Sequence, residues 1–449
     1  MKTPTPDRAE TERARRTAAL DSARLAAGVA IKPAKAALRA PRASARGLRE
    51  VFRYWHAERA TLRQGFVAVW LSSAGDLLAG LALGIFTHRL DELPGLIILV
   101  PAAIGMRGNI FGALGNRLGT AVHAGSFRVT RARSGILFQN VYAATLLSLV
   151  MSAFLAVTAR VVSVLTGGPS ISLWGFMVVS VVGGIFSSAV VLALTVLLSL
   201  VAFRKGWDLD SVAAPVVTFM GDTVTLPALF LASYLIQQPG ATLALGALLG
   251  ALAIWALVSA LRTDLPLARR ILRESLIVLV VAGVVDIIAG IVIERRAHHF
   301  FTLPALAVLI PPFLEDAGAL GSVLGGRLGS KLHLGAIEPR FLPERLALLD
   351  MSLLAPWGLS VFLLVGVSSH YVARAVGLAS PGLPTMIAVS LTAGLISTIG
   401  AAWVAYSGAV ATYRFGFDPD NHAVPIVTSS IDLIGTIALV GTVIFLGVR

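Results

Sequence analysis

Asp418–Asp432 reads DPDNHAVPIVTSSID, and 210 residues earlier Asp208–Asp222 reads DLDSVAAPVVTFMGD. Each stretch opens on carboxylates, enters an apolar run and places one more acid, Asp222 or Asp432, inside it. Asp208, Asp210, Ala213, Pro215, Val217, Thr218 and Asp222 all recur at that offset. An aspartate in the middle of a membrane is costly and marks a functional position. Two of them, related by an internal repeat, point to a cation site on a pseudo-symmetry axis.

The surrounding composition is that of a membrane protein. The 449 residues are 56% hydrophobic and 14% charged, with a mean hydropathy of +0.82, and the apolar residues fall in runs longer than twenty. A soluble domain does not reach these values. The net charge of +13 is uneven. Residues 1–65 hold 15 Lys/Arg against 6 Asp/Glu, a surplus of 9, as expected of a partly disordered cytoplasmic tail that touches anionic lipid. No nucleic-acid-binding motif accompanies it. Without cysteine there is no disulfide framework or thiolate metal site. The first 50 residues lack the apolar core of a cleavable signal peptide.

Eleven spans are expected, at 66–86, 94–116, 136–164, 171–203, 211–236, 241–261, 274–294, 303–326, 349–376, 384–412 and 423–447, each offering the roughly 20 apolar residues a crossing needs. Arginines and lysines crowd the loops 117–135, 203–210, 262–273, 327–348 and 413–422, with Arg295–Arg296 the clear exception elsewhere. The N-terminus is therefore expected in the cytoplasm and the C-terminus outside. At the same offset Asp76 meets Asp286, Gly80 meets Gly290, Pro94 meets Pro304 and Pro101 meets Pro311. Residues 101–125 and 311–335 share 9 identities in 25 ungapped positions, far above what apolar bias supplies, so the chain is duplicated. Five spans per unit is an odd number, and the extra helix at 241–261 restores the orientation. The fold class expected is an all-α polytopic membrane protein, two parallel five-helix repeats (66–236 and 274–449) joined by a linker (237–273). They would be related by a pseudo-two-fold along the membrane normal.

Asp222 and Asp432 lie 14 residues past the starts of their helices, about 21 Å at 1.5 Å per residue, near mid-membrane. Two carboxylates facing the axis balance one dication, and oxygen ligands suit Mg²⁺, which keeps much of its water. Thr218 and Thr428 sit one turn earlier on the same face and are placed to orient that water. Asp76 and Asp286 form a second acidic pair that either lines the pore or holds a neighbouring helix. The second helix of each unit is rich in glycine, including Gly108 and Gly318, which permits close packing or a cavity-lining backbone. Here the halves diverge. Arg107 and Asn109 face Ala317 and Ala319, while Glu315 and Asp316 face Gly105 and Met106. These opposite charges either bridge across the axis, or Glu315 and Asp316 admit cations.

Arg117/Arg327 and His123/His333 recur where snorkelling side chains belong. Asp208, Asp210, Asp418 and Asp420 are expected to cap helix N-termini and to form a cation-gathering vestibule. His298–His299 beside Glu294 is a further metal candidate. No HExxH, GxSxG or Walker signature suggests an enzyme. The rival reading is an intramembrane aspartyl-type enzyme using the paired acids.

Pro101–Gly125, with GMRGN at Gly105–Asn109 and NRLGTA at Asn116–Ala121, resembles the MgtE family of magnesium transporters. Together with the helices bearing Asp222 and Asp432 and AGDLLAG around Asp76, it resembles more closely that family's duplicated eukaryotic solute-carrier relatives. The likeness covers about residues 66–447. It implies a five-helix unit used twice, with second and fifth helices lining a central pore formed by one chain. It also implies hydrated Mg²⁺ held at Asp222 and Asp432, with Asn109 contributing from the GN motif and Ala319 unable to match it. MgtE proteins carry a cytosolic acidic domain and CBS domains that the 65-residue tail is too short to hold. Gating is therefore expected to differ, and channel conduction and ion-coupled exchange stand equally open. The reading that results is a multi-pass plasma-membrane transporter for a divalent cation, foremost Mg²⁺.

Overall fold

The computed structural model describes residues 44–123, 125–128, 130, 132–205, 209–236, 238–416 and 424–448. Among them all regular structure is helical, as apolar runs in lipid require, since a helix satisfies its backbone polar groups internally. A short α1 (Ser44–Ala57) leads into α2 (Arg59–Ile85), α3 (Thr87–Glu92) and α4 (Leu99–His123). Helices α5 (Ile136–Leu165), α6 (Leu173–Lys205) and α7 (Leu209–Ser233) complete the first unit, and α8 (Pro239–Arg262) follows as the linker. The second unit comprises α9 (Pro266–Glu294), α10 (Ala297–Thr302), α11 (Pro304–His333), α12 (Arg345–Met351), α13 (Leu354–Ala375), α14 (Leu383–Phe415) and α15 (Val424–Phe445).

The 210-residue offset governs the helix bounds themselves. Shifting α3 gives the limits of α10, shifting α6 gives those of α14, and α4 and α11 end on His123 and His333. Both second helices close on a left-handed glycine, Gly125 at φ 65° and Gly335 at φ 66°, a conformation that glycine adopts without strain. One departure is the third helix, continuous as α5 but interrupted at Ser352–Leu353 between α12 and α13. Ten helices among the described residues are long and apolar enough to cross a membrane, and Phe219–Ser233 within α7 is a shorter apolar helix. The eleventh expected span, 211–236, coincides with α7.

The two units are interlocked. Helix α2 packs on α11 and α13 of the other unit as well as on α7 of its own, and α9 does the same on α4, α5 and α15. Backbones touch where they cross. A Cβ at Gly80 would lie 2.1 Å from the Val308 carbonyl oxygen, and one at Gly290 would lie 2.2 Å from that of Ile98, the residue equivalent to Val308. A glycine at such a crossing substitutes backbone contact for side-chain packing.

At the α1 end the units differ. In the second, buried Asp350 accepts from Arg327 Nε (2.7 Å), Lys331 Nζ (2.6 Å) and the Tyr54 hydroxyl of α1 (2.5 Å). Burial, together with the Asp350 carboxylate, pushes the Tyr54 phenol well above its usual range, which keeps it a donor. Glu58 adds a 3.0 Å ion pair to Arg327, Trp55 Nε1 donates to Ser352 Oγ at 3.0 Å, and Glu50 pairs with Arg345. The first unit has neutral Asn140 in the place of Asp350, accepting from Arg117 at 2.9 Å. Helix α1 is thereby tied to the end of α11.

Two measurements test these contacts. Gly80→Ala and Gly290→Ala should each destabilise the protein by about 1–3 kcal/mol, because backbone cannot yield as a side chain does. Unchanged unfolding temperatures for both would show that the crossings are loose. Asp350→Asn should cost about 2 kcal/mol, between surface and fully buried pairs because Arg327 and Lys331 are 18% and 21% exposed. Hydrogen exchange across α1 should accelerate in that variant, and wild-type protection there would mean that α1 is held by something else.

Candidate cation site

The interlocking brings six carboxylates into one chamber. Asp76 arrives on α2, Asp286 on α9, Asp222 on α7, Asp432 on α15, and Glu315 and Asp316 on α11. The five aspartates are between 0% and 5% exposed. Asp222 lies beside Asp76, and Asp432 beside Asp286, so each unit contributes a first-helix and fifth-helix pair. Glu315 is the hub, within electrostatic reach of Asp76, Asp222, Asp286, Asp316 and Asp432.

Hydrogen bonding does not account for this cluster. Asp76 Oδ1 and both carboxylate oxygens of Asp222, Asp286 and Asp316 are buried with no hydrogen-bond partner. Ser72 Oγ donates a long 3.4 Å bond to Asp76 Oδ2. Ser73 lies beside Asp316 and Ser429 beside Asp286, close enough to interact but short of well-formed hydrogen-bond geometry. Burying a carboxylate unpaired costs several kcal/mol, so packing alone does not account for a group of them. No three His, Asp or Glu side chains among the described residues converge as the direct ligands of one metal ion.

The glycines give the chamber its shape. A Cβ at Gly105 would lie 3.2 Å from Asp286 Oδ2 and 3.7 Å from Asp432 Oδ2. A side chain there would crowd the acids, whereas the equivalent position in the other unit carries Glu315. One and two turns further along α4, a Cβ at Gly108 or Gly112 would meet nothing within 4 Å, and on α11 the same holds for Gly326 and Gly329. At Gly318 a Cβ would lie 3.8 Å from Asp432 Oδ1 and 3.9 Å from Thr428. Both second helices thus present faces stripped of side chains between the acids and the α1 end. One hollow of about 470 Å³, lined by Gly326 and Gly329 together with Val424 and Val427, runs between α11, α14 and α15, and another of about 590 Å³ is lined by Trp174, Gln238 and Thr242.

Of the residues singled out in the sequence, Asp76, Asp222, Asp286, Asp432, Glu315 and Asp316 come together, and Gly108 and Gly318 border open space. The Asn109 amide nitrogen is buried and unpartnered, beside a pinched hollow with Arg117, Ser275 and Pro425. The Thr428 hydroxyl donates to its own helix, at Val424 O (3.0 Å) and Pro425 O (3.1 Å), so only its oxygen remains to meet a water. Asp208, Asp418 and Asp420 lie outside the described residues, as do the side chains of Asp210, Thr218 and His123. A bridge from Arg107 to Glu315 or Asp316 is not what forms. Arg107 turns into its own unit, donating to Ser187 (3.1 Å), Ser148 (3.0 Å) and Ser152 (3.0 Å). The His298–His299 candidate does not converge with Glu294 into a metal-holding group among the described residues; the Glu294 carboxylate instead accepts from Gly95 N at 3.0 Å. The hub role of Glu315 has no signal in the repeat, since its counterpart in the first unit is Gly105.

The chain is similar to known proteins along most of its length. The family model MgtE, described as a divalent cation transporter, matches residues 100–232 and 310–442. Mouse solute carrier family 41 member 3 is 25% identical over 389 residues, covering 82% of this chain and 78% of the relative. Chicken solute carrier family 41 member 2 is 26% identical over 401 residues, covering 84% and 69%. No solved structure matches the chain.

Crowded, unpartnered acids should hold the empty protein below its attainable stability. Asp316→Asn is expected to raise stability by about 1–3 kcal/mol in chelator, read as a higher unfolding temperature. A lowered temperature would show that the carboxylates are already compensated within the protein.

Proposed function

Because the chain belongs to the MgtE family of divalent cation transporters, we propose that it carries Mg²⁺ across the membrane as a partly hydrated ion. The ion passes through the acid chamber, with Asp222 and Asp432 its principal anionic partners. Asp76, Asp286, Glu315 and Asp316 complete the field around it. The observation that carries this reading is the set of seven buried aspartate oxygens without a partner, contributed by both units. Mg²⁺ dehydrates reluctantly and is commonly held through water, which fits acids that surround a space without converging on one point.

Supporting this reading, the side-chain-free faces of α4 and α11 begin at the acids and run toward the α1 end. Asn109 adds an unused donor to the same path. A single chain supplies two equivalent halves, so one molecule suffices for a pore. The positive loops favour an N-terminus in the cytoplasm and a C-terminus outside, and residence in the plasma membrane belongs to the same reading. Members of this family are transporters and not enzymes, and the aspartyl-catalysis alternative has no observation in its favour.

The test is flux into liposomes with Mg²⁺, Mn²⁺, Co²⁺ and Ca²⁺. Asp222→Ala and Asp432→Ala should each lower dication flux at least about tenfold, since a lost charge at close range weakens a dication by more than 1.4 kcal/mol. Both variants should remain folded. Full uptake by the double variant would remove these acids from the pathway.

A further inference from the structure

Arg107 is the only basic side chain among the buried residues described, at 2% exposure, and it has no carboxylate partner among them. Its guanidinium is held by the hydroxyls of Ser148, Ser152 and Ser187, with Ser188 hydrogen-bonded to Ser148 behind them. Space for it depends on Gly184, where a Cβ would lie 2.6 Å from Arg107 Nη2. This is a cage of neutral dipoles around a full charge, an expensive arrangement in a membrane.

Packing does not demand that charge. The second unit builds the same corner without a charge, with Ala317, Gly358 and Phe362 in the places of Arg107, Ser148 and Ser152, while Ser397 and Thr398, in the places of Ser187 and Ser188, donate to their own helix. Phe362 is buried against Phe313 and lies over Gly394, the counterpart of Gly184, where a Cβ would be 2.3 Å from its ring. The same fold in the same molecule therefore closes this space without a cation.

What distinguishes the charged corner is its position. Gly105, two residues earlier on α4, borders Asp286 and Asp432, while Gly221, next to Asp222, would bring a Cβ to 3.8 Å from Arg107 Cβ. Guanidinium and chamber thus stand on opposite sides of one helix, about 10 Å through. A fixed charge at that range acts on a dication strongly in a low-dielectric interior, and the serine hydroxyls solvate the guanidinium without cancelling it.

We propose that Arg107 is a resident counter-charge of the acid chamber, which limits how tightly the passing dication is held and so permits its release. This inference rests on the cation-site reading given above. Transport needs binding firm enough to admit the ion and weak enough to let it go. Six clustered acids exceed what one dication balances, and a built-in cation that never leaves lowers the excess.

The test transplants the second unit's packing into the first, as Arg107→Ala with Ser148→Gly and Ser152→Phe, alongside Arg107→Lys. Mn²⁺ binding to each purified full-length protein is followed by electron paramagnetic resonance, and Mn²⁺ uptake in liposomes. The transplant should bind Mn²⁺ at least about tenfold tighter with a lower maximal uptake rate, and Arg107→Lys should return both values toward wild type. Structural damage would instead weaken binding. Unchanged or weaker binding in a transplant with the wild-type unfolding temperature overturns the counter-charge while leaving the cation site standing. If the transplant does not fold, Arg107→Gln decides: Mn²⁺ binding at least about tenfold tighter than wild type supports the proposal, and unchanged or weaker binding overturns it. A wild-type protein that neither binds nor transports Mn²⁺ overturns both readings.

Discussion

Concentrating carboxylates in a membrane interior is the constraint on which the rest of the structure depends. Each acid repels the others and gives up hydration on burial. None of the six has an arginine or lysine partner among the described residues. The helices that carry them must therefore be held together by forces unrelated to the acids. The glycine crossings supply such forces: Gly80 on the Val308 carbonyl and Gly290 on that of Ile98 bring α2 and α9 against the opposite unit at backbone distance. Asp76 and Asp286 stand one turn from those glycines, so the contacts that build the interlock also aim the acids.

Duplication gave two equal halves, and the chamber shows how they drifted apart. Gly105 has no side chain where Glu315 supplies a carboxylate. Arg107 and its serines occupy a corner that Phe362 fills on the other side. Asn140 is neutral where Asp350 anchors Arg327, Lys331 and Tyr54. All three changes alter charge; the first two leave the helix path unbroken, and Asp350 stands just before the break at Ser352–Leu353. The backbone thus retains the pseudo-symmetry that the electrostatics have lost, and an ion in the chamber meets different surroundings on its two sides.

Most of the fold is legible in the sequence because lipid reduces the options: apolar runs must be helices, and the constant offset of 210 residues pairs them. The mid-membrane depth of Asp222 and Asp432 is legible for the same reason, as a rise per residue. The exchange of α2 and α9 between units is not, since periodicity and offset say nothing about which copy a helix packs against. The sequence misleads about Arg107 because opposite charges suggest a pair. Facing Ser148 and Ser152 on α5 depends on the rotation of α4, which hydroxyls scattered through an apolar helix do not reveal. Glu315 reads in the sequence as one route for cations, but its centrality depends on α11 reaching both units.

The interlock also bears on how such a protein can move. In parallel-repeat transporters, alternating access is largely the rocking of one half against the other. Here that motion would draw α2 from α11 and α9 from α4 at crossings where backbone meets backbone. Side chains can follow a sliding partner by changing rotamer, but a glycine and a carbonyl have nothing to extend, so the contact is kept or lost whole. Rocking would also separate the acids of one pair from Glu315, which acts on both. Motion confined to helix ends asks for neither loss. At the α1 end the contacts are hydrogen bonds and ion pairs made by long side chains, Arg327 and Lys331 reaching Asp350 and Tyr54, and these can lengthen and re-form without disturbing the glycine crossings. The physical division is between a chamber fixed by backbone contact and an end fixed by adjustable polar ones.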